Sequence, residues 1–189
     1  MNICDKEVMD ASELKIEQRK IIQNAIFAAV VCAIVLLLGR YTLPLYYTFP
    51  TDLTERIAFA IKASLFVLIW VVIAVRMVSR VRFLSAEDNK GSALTQPSAK
   101  IAIPRAFLQN TLEQAVIAAG AYLAFATLVS AASLSLVPSA VILFSIGRVT
   151  FLRGYPEGAG ARAFGMVVTV LPTMLAYIFC IGAVIASLF

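Results

Sequence analysis

Residues Ala163–Phe189 have the sequence AFGMVVTVLPTMLAYIFCIGAVIASLF, which contains no charged side chain. An apolar run of about 18 residues or more is long enough to form a helix that crosses the hydrocarbon core of a bilayer. Four further apolar stretches precede this one: Ile21–Leu38, Ile57–Val78, Leu108–Leu136 and Ser139–Leu152. Charged segments separate them, except that the turn near residues 133–139 between the last two of the four has no charge. The sequence therefore predicts an all-α integral membrane bundle with five spans.

The composition agrees with a membrane protein. The hydrophobic fraction is 61% and the charged fraction 14%, whereas soluble domains average roughly 45–50% and 25%. The net charge is +5, but the basic residues form no stripe of the kind that follows a phosphate backbone, so we expect no nucleic-acid partner. Histidine is absent, which excludes Ser-His and Cys-His nucleophile pairs. The three cysteines lack metal-ligand spacing, and we expect no metal site: Cys4, Cys32 and Cys180.

The basic residues are concentrated in particular segments, and this distribution predicts the orientation of the spans. The polar segment Ser79–Pro104 and the segment Arg148–Arg162 each have an excess of basic side chains, whereas the C-terminal stretch has no charge. Basic loops tend to remain on the cytoplasmic side of a membrane. We therefore expect both segments and the N-terminal segment Met1–Lys20 to be cytoplasmic, and the C-terminus to lie on the opposite side.

The first apolar stretch, Ile21–Leu38, predicts a retained span and not a cleaved signal. A secretory signal has a basic start, an early apolar core and small residues at the cleavage site, whereas the apolar core here begins only at Ile21. Three prolines predict helix ends or bends. We expect Pro104 to begin the third span, Pro138 to end it, and Pro172 to kink the last span and free a carbonyl, which a bundle neighbour can tolerate.

Ionisable side chains at membrane depth usually face a bundle interior and mark a functional site. Arg105, Gln109 and Glu113 occupy one face of the third span because residues four apart are neighbours on a helix. Glu113 lies about 12 Å along the axis from Arg105 at 1.5 Å per residue. The stripe predicts a surface that faces other helices or a wet crevice. An internal pair between Arg105 and Glu113 is the alternative.

A second group of charges lies between the last two spans. Pro156, Gly158 and Gly160 predict that one helix ends near Tyr155 and that the next begins near Gly160. Arg162 then lies in the first turn of the last helix, where a cation is unfavourable unless it helps to hold an anion. For the other two arginines of this group, we keep open a role in topology or in binding lipid headgroups: Arg148 and Arg153.

Two motifs taken together resemble the MAPEG superfamily. They are Asn110-x-x-Glu113 at the start of one span, and Arg148, Arg153-Gly154-Tyr155 and Arg162 between the next two spans. Members of this superfamily are membrane-associated proteins of eicosanoid and glutathione metabolism, such as microsomal glutathione transferases. The resemblance covers roughly residues 56–189. It implies a four-helix unit over that range, and residues 21–38 are an extra N-terminal transmembrane helix outside it.

The resemblance also implies a homotrimer that binds glutathione between neighbouring subunits near the cytosolic face. In such a site Arg162 is the catalytic residue that stabilises the glutathione thiolate. A guanidinium suits that role because it lowers the pKa of a thiol, which is about 8.5 when free. The glutathione-binding residues implied by the resemblance are Arg105, Asn110, Glu113, Arg148 and Tyr155.

Two positions differ from the pattern that the family usually shows. The arginine expected four residues before Asn110 is Ala106, with Arg105 one residue earlier, and the tyrosine expected four residues before Tyr155 is Phe151. We expect a glutathione-dependent transferase or peroxidase that acts on hydrophobic electrophiles. A non-catalytic lipid-binding member of the same fold is the alternative. A small transporter is less favoured because the chain has no internal repeat and no paired broken helices.

Overall fold

The computed structural model describes residues 10–91 and 96–189, so Cys4 and the first part of the N-terminal segment lie outside the described residues. Within these ranges the chain forms five long helices and no strand. Two short 3-10 turns, Ala131–Ser135 and Tyr155–Glu157, precede the last two helices. The helices are α1 (Ala11–Tyr46), α2 (Leu53–Leu84), α3 (Ala99–Leu128), α4 (Leu136–Arg153) and α5 (Ala159–Ala186).

All five helices are long and apolar enough to cross a membrane. The predicted all-α membrane bundle with five spans is therefore confirmed. Capping residues fix where the first two helices begin. The carboxylate of Asp10 accepts hydrogen bonds from the amides of Ser12 and Glu13, and Asp52 does the same for Thr54 and Glu55. Such caps satisfy N–H groups that have no partner within the helix.

Several helix ends differ from the predicted ones. The third span does not continue to Leu136: α3 ends at Leu128, and α4 begins at Leu136, so Pro138 lies in the first turn of α4 and does not end α3. The carbonyl of Val129, just past the end of α3, accepts a hydrogen bond from the guanidinium of Arg56 on α2. The apolar run hid this break because the connecting residues are themselves small or apolar.

The loop predicted at Ser79–Pro104 is shorter than expected. Helix α2 continues to Leu84 and α3 begins at Ala99, which places Pro104 inside α3 and not at its start. Likewise Arg148 and Arg153 belong to α4, and residues 154–158 alone connect it to α5. The polar side chains that suggested loops lie on helix ends. The change from apolar to polar residues marks the end of an apolar stretch, and the helices continue past it.

Close contacts between small residues determine how the helices pack. The α3 alanines Ala115, Ala118 and Ala121 are fully buried in the core between the helices. Helices α4 and α5 touch backbone to backbone, since a Cβ on Gly165 would lie 2.3 Å from the amide nitrogen of Phe151. Small residues allow this approach in membrane bundles, where van der Waals packing replaces the hydrophobic effect between helices.

Helix α1 lies beside α5 and runs parallel to it. Asn24 of α1 contacts Gly160, and eight residues further along both helices Cys32 contacts Val168. Pro172 lies inside α5, as predicted, and leaves the carbonyl of Val168 without its helical donor. The thiol of Cys32 lies 3.9 Å from that oxygen. Because the helices alternate in direction, three parts of the chain share one end of the bundle, here called the Arg162 end: the start of α1, the described residues 85–91 and 96–98 between α2 and α3, and the connection 154–158.

Candidate functional site

Arg148 has the largest fully buried side chain at the Arg162 end, with 0% of the residue's surface exposed. Its Nε and one terminal nitrogen donate to the hydroxyl of Thr169 at 3.3 and 2.9 Å, and its other terminal nitrogen donates to Oδ1 of Asn110 at 2.7 Å. A guanidinium has five N–H donors, of which these bonds use three. The arginine is held firmly, and its charge is not neutralised by these neutral acceptors.

The packing of α4 against α5 brings Thr169 under Arg148. A Cβ on Gly147 would lie 2.1 Å from the Thr169 hydroxyl oxygen, so glycine at this position makes room for the threonine. The hydroxyl donates its own proton to the carbonyl of Gly165 at 2.8 Å. Since a hydroxyl has one proton, its lone pairs are the groups that meet the guanidinium. Thr169 is therefore oriented as an acceptor before any ligand is considered.

Asn110 links α3 to this cluster. Its side-chain oxygen accepts from Arg148, which fixes the orientation of the amide and directs its NH2 group toward the sulfur of Met166 at 3.9 Å. Sulfur is a weak acceptor. The amide NH2 group thus retains capacity to bind a stronger acceptor.

Aromatic rings connect Arg148 to Arg162. The guanidinium carbon of Arg148 lies 4.9 Å from the centroid of the Phe151 ring, and that of Arg162 lies 5.9 Å from the same ring. Arg162 lies closer still to Tyr155, at 4.4 Å from the ring centroid. Phe151 and Tyr155 contact each other edge to face at 5.6 Å. Attraction of a cation to a ring face is worth about 0.5–2 kcal/mol and depends on desolvation.

The cluster carries two positive charges without an acidic partner. An ion pair requires a carboxylate oxygen within 4 Å of the cationic nitrogen, as between Lys20 and Glu17 on α1. Neither Arg148 nor Arg162 has a carboxylate within that distance in the described parts of the chain. Burial of an ion costs several kcal/mol unless a counter-charge compensates it. A buried cation without a counter-charge therefore favours an anionic ligand.

The polar stripe on α3 points away from this cluster. Arg105, Gln109 and Glu113 are exposed on the surface of the single chain. The amide of Gln109 donates to Glu113 at 2.7 Å. The alternative of an internal pair between Arg105 and Glu113 is not observed, since no such ion pair occurs among the described residues. One copy of the chain therefore brings together Asn110, Arg148, Tyr155 and Arg162, and leaves Arg105 and Glu113 on its outer surface.

At the same end of the bundle, a carboxylate orders the loop between α2 and α3. Asp88 is buried, with 3% of its surface exposed. It accepts hydrogen bonds from the hydroxyl of Ser98 at 2.6 Å, the amide of Ser98 at 2.9 Å and the hydroxyl of Ser85 at 2.9 Å. These bonds, first of all the one from the Ser98 hydroxyl, hold the pKa of the Asp88 carboxyl below its usual range.

Sequence reasoning did not identify three residues of this region. Thr169 orients Arg148, and Glu17 and Asn24 of α1 contact Gly160 at the start of α5. A threonine in an apolar span and polar residues at the start of a helix are individually common. The spacing Gly165-x-x-x-Thr169 was the available signal for Thr169, because small residues four apart predict a close helix contact.

The fold and the site define a multi-pass membrane bundle with a cationic, aromatic-lined cluster at one end. Comparison with protein families matches residues 56–182, about two thirds of the chain, to the MAPEG family. The chain belongs to this family, as the motifs at Asn110 and Arg148 predicted. Helix α1 precedes the matched residues. Comparisons with curated proteins and with solved structures gave no significant match.

Proposed function

We propose that the protein is a glutathione-dependent membrane transferase or peroxidase that acts on hydrophobic electrophiles. The observation that carries the proposal is the pair of guanidinium groups on Arg148 and Arg162, which contact the same Phe151 ring and have no carboxylate within 4 Å in the described chain. Glutathione is anionic at neutral pH and bears two carboxylates and a thiol. Membership of the MAPEG family supports a role in glutathione or eicosanoid metabolism.

In this proposal each side chain of the cluster has one task. Arg162 faces the thiol and favours its ionised form, since a cation nearby lowers a thiol pKa. The Tyr155 ring holds the guanidinium of Arg162 at 4.4 Å and leaves its own hydroxyl to donate to the ligand. Arg148 supplies a fixed positive charge, and the Asn110 amide supplies an N–H donor. No histidine base is required for a thiolate formed in this way.

The exposed stripe on α3 supports a site shared between copies of the chain. A carboxylate such as Glu113 is costly at membrane depth unless it faces a protein partner or a wet cavity. We propose a homotrimer in which Arg105 and Glu113 of one copy bind glutathione held against the cluster of its neighbour. We also propose that the Arg162 end is cytoplasmic, since the basic segments lie there.

Calorimetric glutathione binding and turnover with a lipophilic electrophile test the proposal. We expect saturable binding and conjugation by the wild-type protein in detergent or nanodiscs. Arg162→Ala should lose at least about 100-fold in turnover, as is typical when one transition-state-stabilising donor is removed. Arg153→Ala removes an exposed arginine of the same segment and is the matched control. Absence of binding to the wild-type protein at millimolar glutathione would refute the proposal.

An apolar cavity favours the second candidate, a non-catalytic lipid-binding protein. The cavity has a volume of about 360 Å³ and lies in the other half of the bundle, between α1, α3, α4 and α5. Tyr122, Phe125 and Pro172 are among its lining residues. If the wild-type protein co-purifies with lipid and fails to bind glutathione, this second function is favoured. The lack of catalysis in such a protein would follow from Phe151, which has no hydroxyl at a position where the family usually has a tyrosine.

A further inference from the structure

The start of α5 has no cap from its own segment. Gly158 occupies the N-cap position and forms no side-chain hydrogen bond to the helix. Its φ of 106° lies in the region that glycine adopts without strain. Helix N-termini usually receive a side-chain oxygen from serine, threonine, aspartate or asparagine at this position, because the first N–H groups have no helical partner.

Helix α1 supplies the missing partner. The carboxylate of Glu17 accepts a hydrogen bond from the amide of Gly160 at 2.6 Å, and the side chain of Asn24 donates to the carbonyl of the same residue at 2.8 Å. Both backbone polar groups of Gly160 are thus bound by α1. The Glu17 side chain is 17% exposed and lies 3.8 Å from Lys20.

The contact requires glycine on the side of α5. A Cβ on Gly160 would lie 2.8 Å from Cβ of Lys20 and 3.2 Å from the Glu17 carboxylate. A Cβ on Gly158 would lie 3.0 Å from the same carboxylate. The two glycines therefore allow α1 to approach the turn that leads into Arg162, two residues after Gly160.

The charge of Glu17 also suits this position. A carboxylate near a helix N-terminus is favourable because the helix dipole is positive there. Arg162 is a cation in the same first turn, so the negative charge of Glu17 offsets an otherwise unfavourable placement. Further along the two helices, Cys32 of α1 meets the carbonyl of Val168 that Pro172 leaves free. The contacts between α1 and α5 extend over at least eight residues of each helix.

We infer that Glu17 is a positioning residue for Arg162: the first span, which lies outside the residues matched to the family, caps α5 from outside and fixes the turn that carries the arginine. The structural half of the inference rests on the contacts to Gly160. The catalytic half rests on the proposed glutathione chemistry.

Hydrogen exchange tests the structural half without glutathione. We expect the amides of residues 158–162 to exchange about tenfold faster in Glu17→Ala than in wild type, since a charge-assisted hydrogen bond is lost. Glu17→Gln should restore most of the protection, because its amide oxygen still accepts from Gly160. Asn24→Ala removes the hydrogen bond to the carbonyl of Gly160 and is a second variant of the same contact. Gln18→Ala removes an exposed neighbouring side chain on α1 and is the control. Equal exchange in Glu17→Ala and wild type would overturn the inference.

Steady-state kinetics test the catalytic half. A displaced Arg162 should lower kcat about tenfold in Glu17→Ala, with rescue in Glu17→Gln and no change in Gln18→Ala. Faster exchange with unchanged kcat would show that the contact is structural only and would overturn the positioning role. If wild type itself neither binds nor turns over glutathione, the proposed function fails, whereas the exchange data still decide whether α1 caps α5.

Discussion

Arg148 of α4 donates two hydrogen bonds to a single oxygen, the hydroxyl of Thr169 on α5. The threonine is committed as an acceptor because its own proton goes to the carbonyl of Gly165. One uncharged side chain therefore satisfies two of the five N–H donors of a fully buried guanidinium and does not neutralise its charge. This pairing is the structural basis of the cationic cluster.

Thr169→Val keeps the size of the side chain and removes its acceptor. We expect a loss of about 1–3 kcal/mol in stability, because buried N–H donors of a charged group are left unsatisfied. Thermal unfolding in detergent measures the effect, with Thr169→Ser as the conservative variant that retains the hydroxyl. Thr127→Val is the control, since Thr127 is exposed and bonds only to the carbonyl of Ala124 on its own helix. An equal effect of both valine variants would contradict the role given to Thr169.

Asn110→Asp separates stability from ligand binding. A carboxylate 2.7 Å from the guanidinium would compensate the buried charge of Arg148, so we expect stability at least equal to wild type. The same carboxylate would neutralise the site, and glutathione affinity should fall more than about tenfold, or about 1.4 kcal/mol. Calorimetry and thermal unfolding give the two quantities. Unchanged affinity in a folded Asn110→Asp protein would show that Arg148 does not contribute charge to the ligand.

Phe151→Tyr should strengthen glutathione binding. The residue contacts both Arg148 and Arg162, and a hydroxyl there would add a hydrogen bond worth about 0.5–1.5 kcal/mol net, or roughly 2- to 10-fold in affinity. Phe144→Tyr is the matched control because Phe144 also lies beside Arg148, at 5.5 Å, and is 1% exposed. We expect no gain in affinity from that variant. A similar gain from both changes would indicate a general effect of hydroxyls near Arg148.

Acidification should release the loop that Asp88 orders. Its pKa is lowered in the folded protein, so its stabilising contribution is present above the unfolded value of about 3.9 and is lost as the pH falls through the lower folded value. We expect the protection factor of the Ser98 amide to be constant near neutral pH and to fall below about pH 4. In Asp88→Ala, which removes the acceptor of the Ser98 amide, the protection should be low at every pH. A protection factor that is independent of pH in wild type would contradict this account.

The number of spans was predictable because long apolar runs have few alternatives. The boundary between α3 and α4 was not, since residues 129–135 are small or apolar and carry no charge, although the helix stops at Leu128. Asn110 and Arg148 were identified from their motif, and their direct contact at 2.7 Å joins the two halves of that motif. Glu17 left no local signal, because its partner Gly160 is 143 residues away along the chain.

Ionisation of bound glutathione tests the central claim, that Arg162 stabilises a thiolate, most directly. We would titrate the thiolate ultraviolet absorbance of glutathione bound to wild type, Arg162→Ala and the control Arg153→Ala. Wild type and Arg153→Ala should ionise the thiol roughly one to three pH units below its free value, and Arg162→Ala should return it toward that value. Equal ionisation of bound glutathione in wild type and Arg162→Ala would contradict the account.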